Sequence, residues 1–374
     1  MIRIPVPRLA ALLVHSLLAL LALLALALPA AAQERVVNVY NWTDYIDPYV
    51  VDRFQRETGI RVRYDVYDSL EVLEAKLAAG RSGYDIIVPT DQPTFARMVR
   101  NGAVQPIERA QVPNWANLDA GMMRQVEAAD PGNRHGAIYL WGTIGLGVNF
   151  ARIAPLAPDA PRDSLSLLFD PEQARRIRPC GIVMMDSATD VIPTVLRYLG
   201  RDPNSSAADD LRLVERTLLA IRPFIRQFAG GGVIEQLASG QACLAFGYSG
   251  DVIQAALRAQ EAGRGVTVDY VAGKEGAQLW HDMLAIPRDA PNAANAHAFI
   301  NFLLRPDVMA EISNKTQYPN AVPASWPLIA PAVRNNPNIF PDEASRARFF
   351  SVTGVDAATD RARSRVWARF KAGR

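Results

Sequence analysis

Acidic residues lie within one to three positions of an aromatic residue at several places in this chain, and Tyr318 adds a further aromatic. These places are Trp42-Thr43-Asp44-Tyr45, Tyr248-Ser249-Gly250-Asp251 and Trp280-His281-Asp282. A carboxylate neutralises an ammonium group and accepts its hydrogen bonds, and the face of an aromatic ring attracts the same charge. Because an enclosed amine without a partner is strongly unfavourable, a ligand with an amine at each end needs carboxylates at both ends of its pocket. These residue types therefore favour an organic cation as ligand.

Each of these groups also has a purely structural interpretation. Asp44 could cap the turn after the first predicted strand, and Trp42 could belong to the core. Sequence spacing alone does not bring the groups together in space, so the cation site is at this point a hypothesis.

Enzymatic, metal and cofactor chemistry find little support in the sequence. The histidines beyond residue 32 are His135, His281 and His297, and none has the spacing of a metal motif. By strand alternation, His281 faces away from Trp280 and Asp282. Ser249 is not in a G-x-S-x-G motif, and no Walker A motif or complete dinucleotide loop is present. We therefore predict a protein that is not an enzyme and has no metal or cofactor.

The first part of the chain alternates strands and helices. Strands are predicted at 36–40, 61–66 and 85–89, with helices at 48–58 and from Asp68 or Ser69 to Ala79. This βαβαβ order implies a parallel sheet with right-handed crossovers. A second α/β region extends from Cys180 to Tyr270, and extended segments near 137–150 and 280 connect the two regions.

This order predicts two α/β lobes, each a mostly parallel sheet flanked by helices. Lobe 1 comprises residues 33–139 with about 280–322, and lobe 2 comprises residues 140–279 with about 323–374. Ligands of open α/β sheets bind beyond the carboxyl ends of the strands. We therefore expect a ligand cleft between the lobes and a hinge at the two crossings.

The N-terminus has the features of a secretory signal peptide. Arg3 and Arg8 precede an apolar stretch, and Ala30-Ala31-Ala32 supplies small residues for cleavage after Ala32. A membrane anchor is the alternative interpretation. The remaining chain has 374 − 32 = 342 residues, and losing Arg3 and Arg8 lowers the net charge from +2 to zero. This neutral balance gives no indication of nucleic-acid or membrane binding, and we expect a monomer.

The chain has two cysteines, Cys180 and Cys243. A secreted protein can join such a pair in a disulfide, but two free, buried thiols are the alternative. Neither has a second cysteine or a histidine nearby, which argues against metal binding.

Several sequence runs, in the same order along the chain, resemble the periplasmic putrescine/spermidine-binding proteins of ABC transporters. The runs are Tyr40-Asn41-Trp42-Thr43-Asp44-Tyr45-Ile46, Glu57-Thr58-Gly59-Ile60, D-I-I-V-P-T at 85–90, Gly273-Lys274-Glu275-Gly276 with Trp280 and Asp282, and Phe302-Leu303-Leu304-Arg305-Pro306-Asp307-Val308. The resemblance covers essentially all of residues 33–374 and is nearest to the putrescine-binding branch.

This resemblance implies a type II periplasmic binding protein that delivers a polyamine to the permease and ATPase subunits of an ABC transporter. It implies that Asp251 and Asp282 bind amines, and that Thr43, Asp44 and Thr90 contact the ligand directly or through water. The positions that would enclose the methylene chain are Trp42, Tyr45, Tyr248, Trp280 and Tyr318. The resemblance also favours a Cys180–Cys243 disulfide.

Three positions depart from the family pattern. Asp190 stands where relatives usually have glutamate, so a bridging water is expected at its contact with the amine. Tyr248 replaces a usual tryptophan, and Trp280 matches the spermidine-binding relatives better than the usual phenylalanine of the putrescine branch. These departures leave putrescine and spermidine both open. The alternatives are another small cation in the same fold, a secreted hydrolase, or a binding protein that reports to a sensor.

Overall fold

The computed structural model describes residues 35–229 and 232–374, and the predicted signal peptide with its cleavage after Ala32 lies outside them. The strands are β1 Val36–Trp42, β2 Arg61–Tyr67, β3 Ile86–Ile87, β4 Val104–Gln105, β5 Gly136–Val148, β6 Ile182–Met185, β7 Gln227–Ala229, β8 Leu244–Tyr248, β9 Asp269–Val271, β10 Gln278–Pro287 and β11 Phe350–Ser351. The α-helices are α1 Pro48–Thr58, α2 Leu70–Ala78, α3 Ala96–Arg100, α4 Ala120–Gln125, α5 Phe150–Ile153, α6 Ser166–Phe169, α7 Pro171–Ile177, α8 Ala188–Tyr198, α9 Ala208–Ile221, α10 Val233–Ala238, α11 Ser249–Ala262, α12 Ala293–Leu303, α13 Pro306–Thr316, α14 Pro331–Arg334, α15 Glu343–Arg346 and α16 Ala357–Ala372.

The first three strands form the predicted parallel sheet. β1 lies between β2 and β3 and is parallel to both. Helix α1 begins where the Asp47 carboxylate accepts a hydrogen bond from the Tyr49 amide, and it ends at Gly59, whose φ of 66° is easily adopted without a Cβ. The Ser69 side chain caps α2 in the same way as Asp47 caps α1. Local capping chemistry therefore sets both helices, and the predicted βαβαβ order is confirmed.

Two long strands connect this sheet to a second group of parallel strands. β10 is antiparallel to both β3 and β5, and β5 continues past β10 to pair with β8 and β9. β6 lies parallel between β7 and β8, so the strand order is β2-β1-β3-β10-β5-β8-β6-β7. β5 and β10 are thus the two crossings expected from the sequence. The fold is the two-lobed type II arrangement, while the lobe boundaries remain a prediction.

Cys180 and Cys243 are joined by a disulfide, with their Cα atoms 5.6 Å apart. Cys180 directly precedes the glycine before β6, and Cys243 directly precedes β8, so the bond links two neighbouring parallel strands where they begin. The pairing implied by the family resemblance is confirmed.

Within residues 35–229 and 232–374, no helix is both long and apolar enough to cross a membrane. In the same part of the chain, no three His, Cys, Asp or Glu side chains are grouped so that they could hold a metal ion.

Candidate ligand-binding site

A cavity lies beyond the carboxyl ends of β1, β2, β6 and β8, beside the crossing strand β10. Its wall comprises Trp42, Thr43, Tyr45, Tyr67, Asp68, Ser69, Leu70, Glu71, Thr90, Met185, Asp186, Ser187, Ala229, Val233, Gly247, Tyr248, Asp251, Trp280, Asp282 and Tyr318. Both groups of parallel strands therefore contribute to one cavity at the position expected for open α/β sheets.

The wall of this cavity is rich in acidic groups. It includes five carboxyl groups, and among the described lining residues there is no Lys, Arg or His. Lys371 approaches one of the five from outside, with its ammonium 3.0 Å from the Asp186 carboxylate. A cavity of this composition suits a cation and would repel an anion.

Asp282 is the most deeply buried of these acids, with 3% of its surface exposed. Its Oδ1 accepts a 2.7 Å hydrogen bond from the Thr90 hydroxyl. The Tyr45 hydroxyl lies near the same carboxylate but makes no hydrogen bond of good geometry. Burial raises the pKa of Asp282 to about 8, because the hydrogen bond from Thr90 compensates only part of the lost hydration. A ligand ammonium would supply the missing positive charge.

Asp251 projects from the first turn of α11, where Tyr248 closes β8 and the helix begins at Ser249. The Tyr318 hydroxyl donates a 2.9 Å hydrogen bond to the Asp251 carboxylate, and the Asp251 amide donates to the same hydroxyl oxygen at 3.1 Å. Burial raises the pKa of Asp251 to about 6. The cavity therefore holds two carboxylates, on different elements, that lack full charge compensation.

The five predicted aromatic residues form a continuous row of neighbouring rings, in the order Tyr45, Tyr318, Trp280, Tyr248 and Trp42. The ring centroids of successive members lie between 5.3 and 6.4 Å apart, in edge-to-face contact. Such rings present both π faces and apolar edges, which suit a methylene chain that ends in ammonium groups. The Nε1 atom of Trp280 is buried and has no hydrogen-bond partner among the described residues.

Asp44 and Asp190 are the two predicted site residues that do not lie on the cavity wall. Asp44 adopts a left-handed φ of 55°, and its carboxylate pairs with Arg258 at 3.1 Å. Asp190 is 8% exposed, and its carboxylate accepts hydrogen bonds from Ser187, Tyr248 and Gln278 at 2.7–3.0 Å. Asp190 therefore lies behind the cavity wall and fixes the hydroxyl of Tyr248 through a hydrogen bond.

Two glycines allow the aromatic row to pack closely. A Cβ atom at Gly250 would lie 2.4 Å from the Tyr318 ring, and one at Gly142 would lie 2.6 Å from the Trp280 ring. Neither position has space for a methyl group, so the backbone itself forms part of the support for the wall.

Replacing Gly250 with alanine should displace the Tyr318 ring and so disturb its hydrogen bond to Asp251. We expect a loss of about 1–3 kcal/mol in the free energy of unfolding, because a methyl group is forced into filled space. Binding of a cationic ligand should weaken by about tenfold or more, which corresponds to 1.4 kcal/mol or more. Urea unfolding and ligand titration of the purified variant measure both effects.

Gly354→Ala is the matched control, because a Cβ there would meet its nearest atom at 3.5 Å, an ordinary contact distance. That variant should bind and unfold like the wild type. Normal ligand affinity in Gly250→Ala would show that the Tyr318 ring is not part of the binding wall.

Besides Ala229, Val233 and Gly247, sequence reasoning missed two segments of the wall, namely residues 67–71 and 185–187. Both follow strands that end at the cavity, β2 and β6. The rule that ligands bind beyond the carboxyl ends of strands could have found them, had it been applied to these two strands. They add Asp68, Glu71 and Asp186 to the acidic groups of the cavity.

Comparison with known protein families shows the class of protein. Residues 49–341 match the family of bacterial extracellular solute-binding proteins, and the chain belongs to this family. This fold, with a cavity between two groups of parallel strands, is typical of proteins that bind small solutes.

Among its relatives are two putrescine-binding periplasmic proteins. The chain is 44% identical to SpuD of Pseudomonas aeruginosa over 345 residues, which are 92% of this chain and 94% of that protein. It is 43% identical to PotF of Escherichia coli over 346 residues, which are 92% and 93% of the two chains. The resemblance stated from the sequence is confirmed.

A solved structure shows the same fold. The spermidine/putrescine ABC transporter substrate-binding protein PotD from Streptococcus pneumoniae superposes with a TM-score of 0.72 at 23% identity. The match covers 91% of this chain and 99% of that chain.

Proposed function

We propose that this chain is a periplasmic binding protein that captures a polyamine, with putrescine preferred and spermidine as the second candidate, and delivers it to an ABC transporter permease. One observation carries the proposal: the cavity wall combines five carboxyl groups and a row of aromatic rings with no lining Lys, Arg or His among the described residues. The names of the relatives point to the same ligand class.

The geometry suggests how a diamine would bind. One ammonium replaces the lost hydration of Asp282, and the other does the same for Asp251. The methylene chain between them lies against the rings of Trp280 and Tyr318. A micromolar dissociation constant corresponds to about −8 kcal/mol, which two charge-assisted contacts and ring packing can supply after the costs of association.

The proposal involves binding and release without a covalent step on this chain. The released ligand passes to a permease whose ATPase subunits are separate chains, and the binding protein acts as a monomer in the periplasm after removal of residues 1–32. Ligand contacts from both lobes would favour the closed form over the open one.

Calorimetric titration tests the proposal. The purified protein, freed of co-purified ligand by unfolding and refolding, is titrated with putrescine, cadaverine, spermidine and spermine. We expect saturable binding of at least one short polyamine. Absence of binding with all four compounds would refute the polyamine proposal.

4-Aminobutyrate serves as a matched control ligand. It has nearly the length of putrescine and keeps one amine, but a carboxylate replaces the terminal aminomethyl group. Because that carboxylate would face an acidic wall, no binding is expected. Comparable affinity for 4-aminobutyrate and putrescine would indicate that the site does not recognise two ammonium groups.

A further inference from the structure

The segment 89–91 holds strand β10 on both sides of Asp282. The Met283 amide donates a 2.9 Å hydrogen bond to the Pro89 carbonyl. The next residue of the segment, Thr90, donates its hydroxyl to the Asp282 carboxylate at 2.7 Å. The third residue, Asp91, contacts His281. The three consecutive residues of the segment thus contact residues 281–283 in antiparallel order.

The Asp91 carboxylate makes two contacts with His281. Its Oδ1 accepts a hydrogen bond from the His281 amide at 3.3 Å, and its Oδ2 lies 3.2 Å from His281 Nδ1. This second contact is a hydrogen bond when Nδ1 carries the proton, because an ionised carboxylate only accepts hydrogen bonds. The side chains are 14% and 3% exposed, respectively, and neither lies on the cavity wall.

The regular sheet does not hold Asp282 in place by itself. His281 pairs with Trp141 of β5, but Met283 pairs with Ile138, so the register shifts by one residue between them. Two residues of β5, 139 and 140, therefore lie opposite the single residue Asp282. Ladder hydrogen bonds to β5 are disrupted at such a bulge. The contacts that fix Asp282 therefore come from its other side, where it forms an isolated antiparallel bridge with Thr90.

We propose that Asp91 and His281 are positioning residues that fix the backbone before Asp282 and so aim its carboxylate at the ligand ammonium. This inference rests on the proposed function, since it concerns the orientation of a ligand-binding group. Within the same segment, Pro89 contacts Met283 through its carbonyl and Thr90 contacts Asp282 through its hydroxyl, while Asp91 contacts His281 through its carboxylate.

Replacing Asp91 with alanine removes both contacts to His281. We expect putrescine affinity to fall by about tenfold, because a misdirected carboxylate makes a weaker charge-assisted hydrogen bond to the ammonium. Asp91→Asn should restore affinity to within about threefold of wild type, since its amide oxygen can still accept from the His281 amide. His281→Ala, which keeps the backbone contact and loses only the ring contact, should give an intermediate loss.

A double-mutant cycle separates positioning from a general structural effect. In the Asp282→Asn background, Asp91→Ala should cause no further loss of putrescine affinity, because there is no charged carboxylate left to orient. In the Asp251→Asn background, it should cause its full loss. Tryptophan fluorescence titration, carried to high putrescine concentration, measures all six proteins, and thermal unfolding confirms that they are folded.

Equal losses in both backgrounds would overturn the inference, and so would failure of Asp91→Asn to restore binding. If Asp91→Ala does not fold, His281→Ala takes its place in the same cycle. Failure of the wild-type protein to bind any polyamine would instead refute the proposed function, and this outcome is distinguishable because it precedes any comparison of variants.

Discussion

Replacing Asp282 with asparagine is expected to weaken putrescine binding by about a hundredfold or more. Removing one partner of a buried, hydrogen-bonded charge pair usually costs 2–5 kcal/mol, and a hundredfold loss corresponds to about 2.7 kcal/mol. Asp282 is 3% exposed and accepts a hydrogen bond from Thr90, so the bound ammonium could not recover its lost hydration from nearby water. Calorimetric titration of the variant measures the loss.

The same substitution should leave the ligand-free protein at least as stable as wild type at neutral pH. Burial already disfavours the charged form of Asp282, and asparagine has nearly the same shape without the charge. Asp209→Asn, at a side chain that is 85% exposed, is the control and should change neither property. Wild-type affinity in Asp282→Asn would remove Asp282 from the binding site.

Putrescine affinity is expected to rise steeply with pH between about 6 and 8. Burial raises the pKa of Asp282 to about 8 and that of Asp251 to about 6 in the ligand-free protein, while a diammonium ligand needs both carboxylates ionised. Below pH 8, binding must therefore release a proton from Asp282, and affinity should fall by up to about tenfold per pH unit. The amines stay charged in this range, since alkylammonium groups titrate near pH 10.

Calorimetry in buffers with different ionisation enthalpies measures this proton release directly. At pH 7 we expect close to one proton released per putrescine bound by the wild type and far fewer for Asp282→Asn. Affinity that does not change from pH 6 to pH 8 would contradict the prediction.

The raised pKa of Asp282 has an opposite effect on folding. Folding favours its protonated form, so the stability contributed by this group is fully present below the unfolded pKa near 3.8 and is lost as pH rises through about 8. The melting temperature of the ligand-free wild type should therefore fall relative to that of Asp282→Asn between pH 5 and pH 8. Saturating putrescine should reverse this difference, because it binds the ionised form.

Rules of local chemistry predicted the elements, while the residues of the cavity wall were predicted from local patterns together with the family resemblance. The Asp47 and Ser69 caps and Gly59 set the helix ends close to where the sequence placed them. Strand alternation placed Trp280 and Asp282 on one face and His281 on the other, and the cavity wall includes the first two and not the third. These features depend on residues near one another in the sequence, which is why they are readable from it.

Features that depend on packing between distant segments could not be predicted from the sequence. Asp44 follows the end of β1, where alternation no longer fixes the direction of a side chain, and its partner Arg258 lies more than 200 residues away. The position of Asp190 behind Tyr248 depends on how α8 packs against β8 and β10. The register shift beside Asp282 likewise has no signature in the sequence of β10 alone.

The acidic wall of the cavity also has a consequence for the transport cycle. In the proposed transport cycle, carboxyl groups on both sides of the cavity repel each other once they are ionised and no cation lies between them, which disfavours closure of the empty protein. A permease that recognises only the closed form would then couple ATP hydrolysis to the ligand-bound protein and not to the empty one. The residues that select the ligand would in this way also suppress ATP hydrolysis that is not coupled to transport.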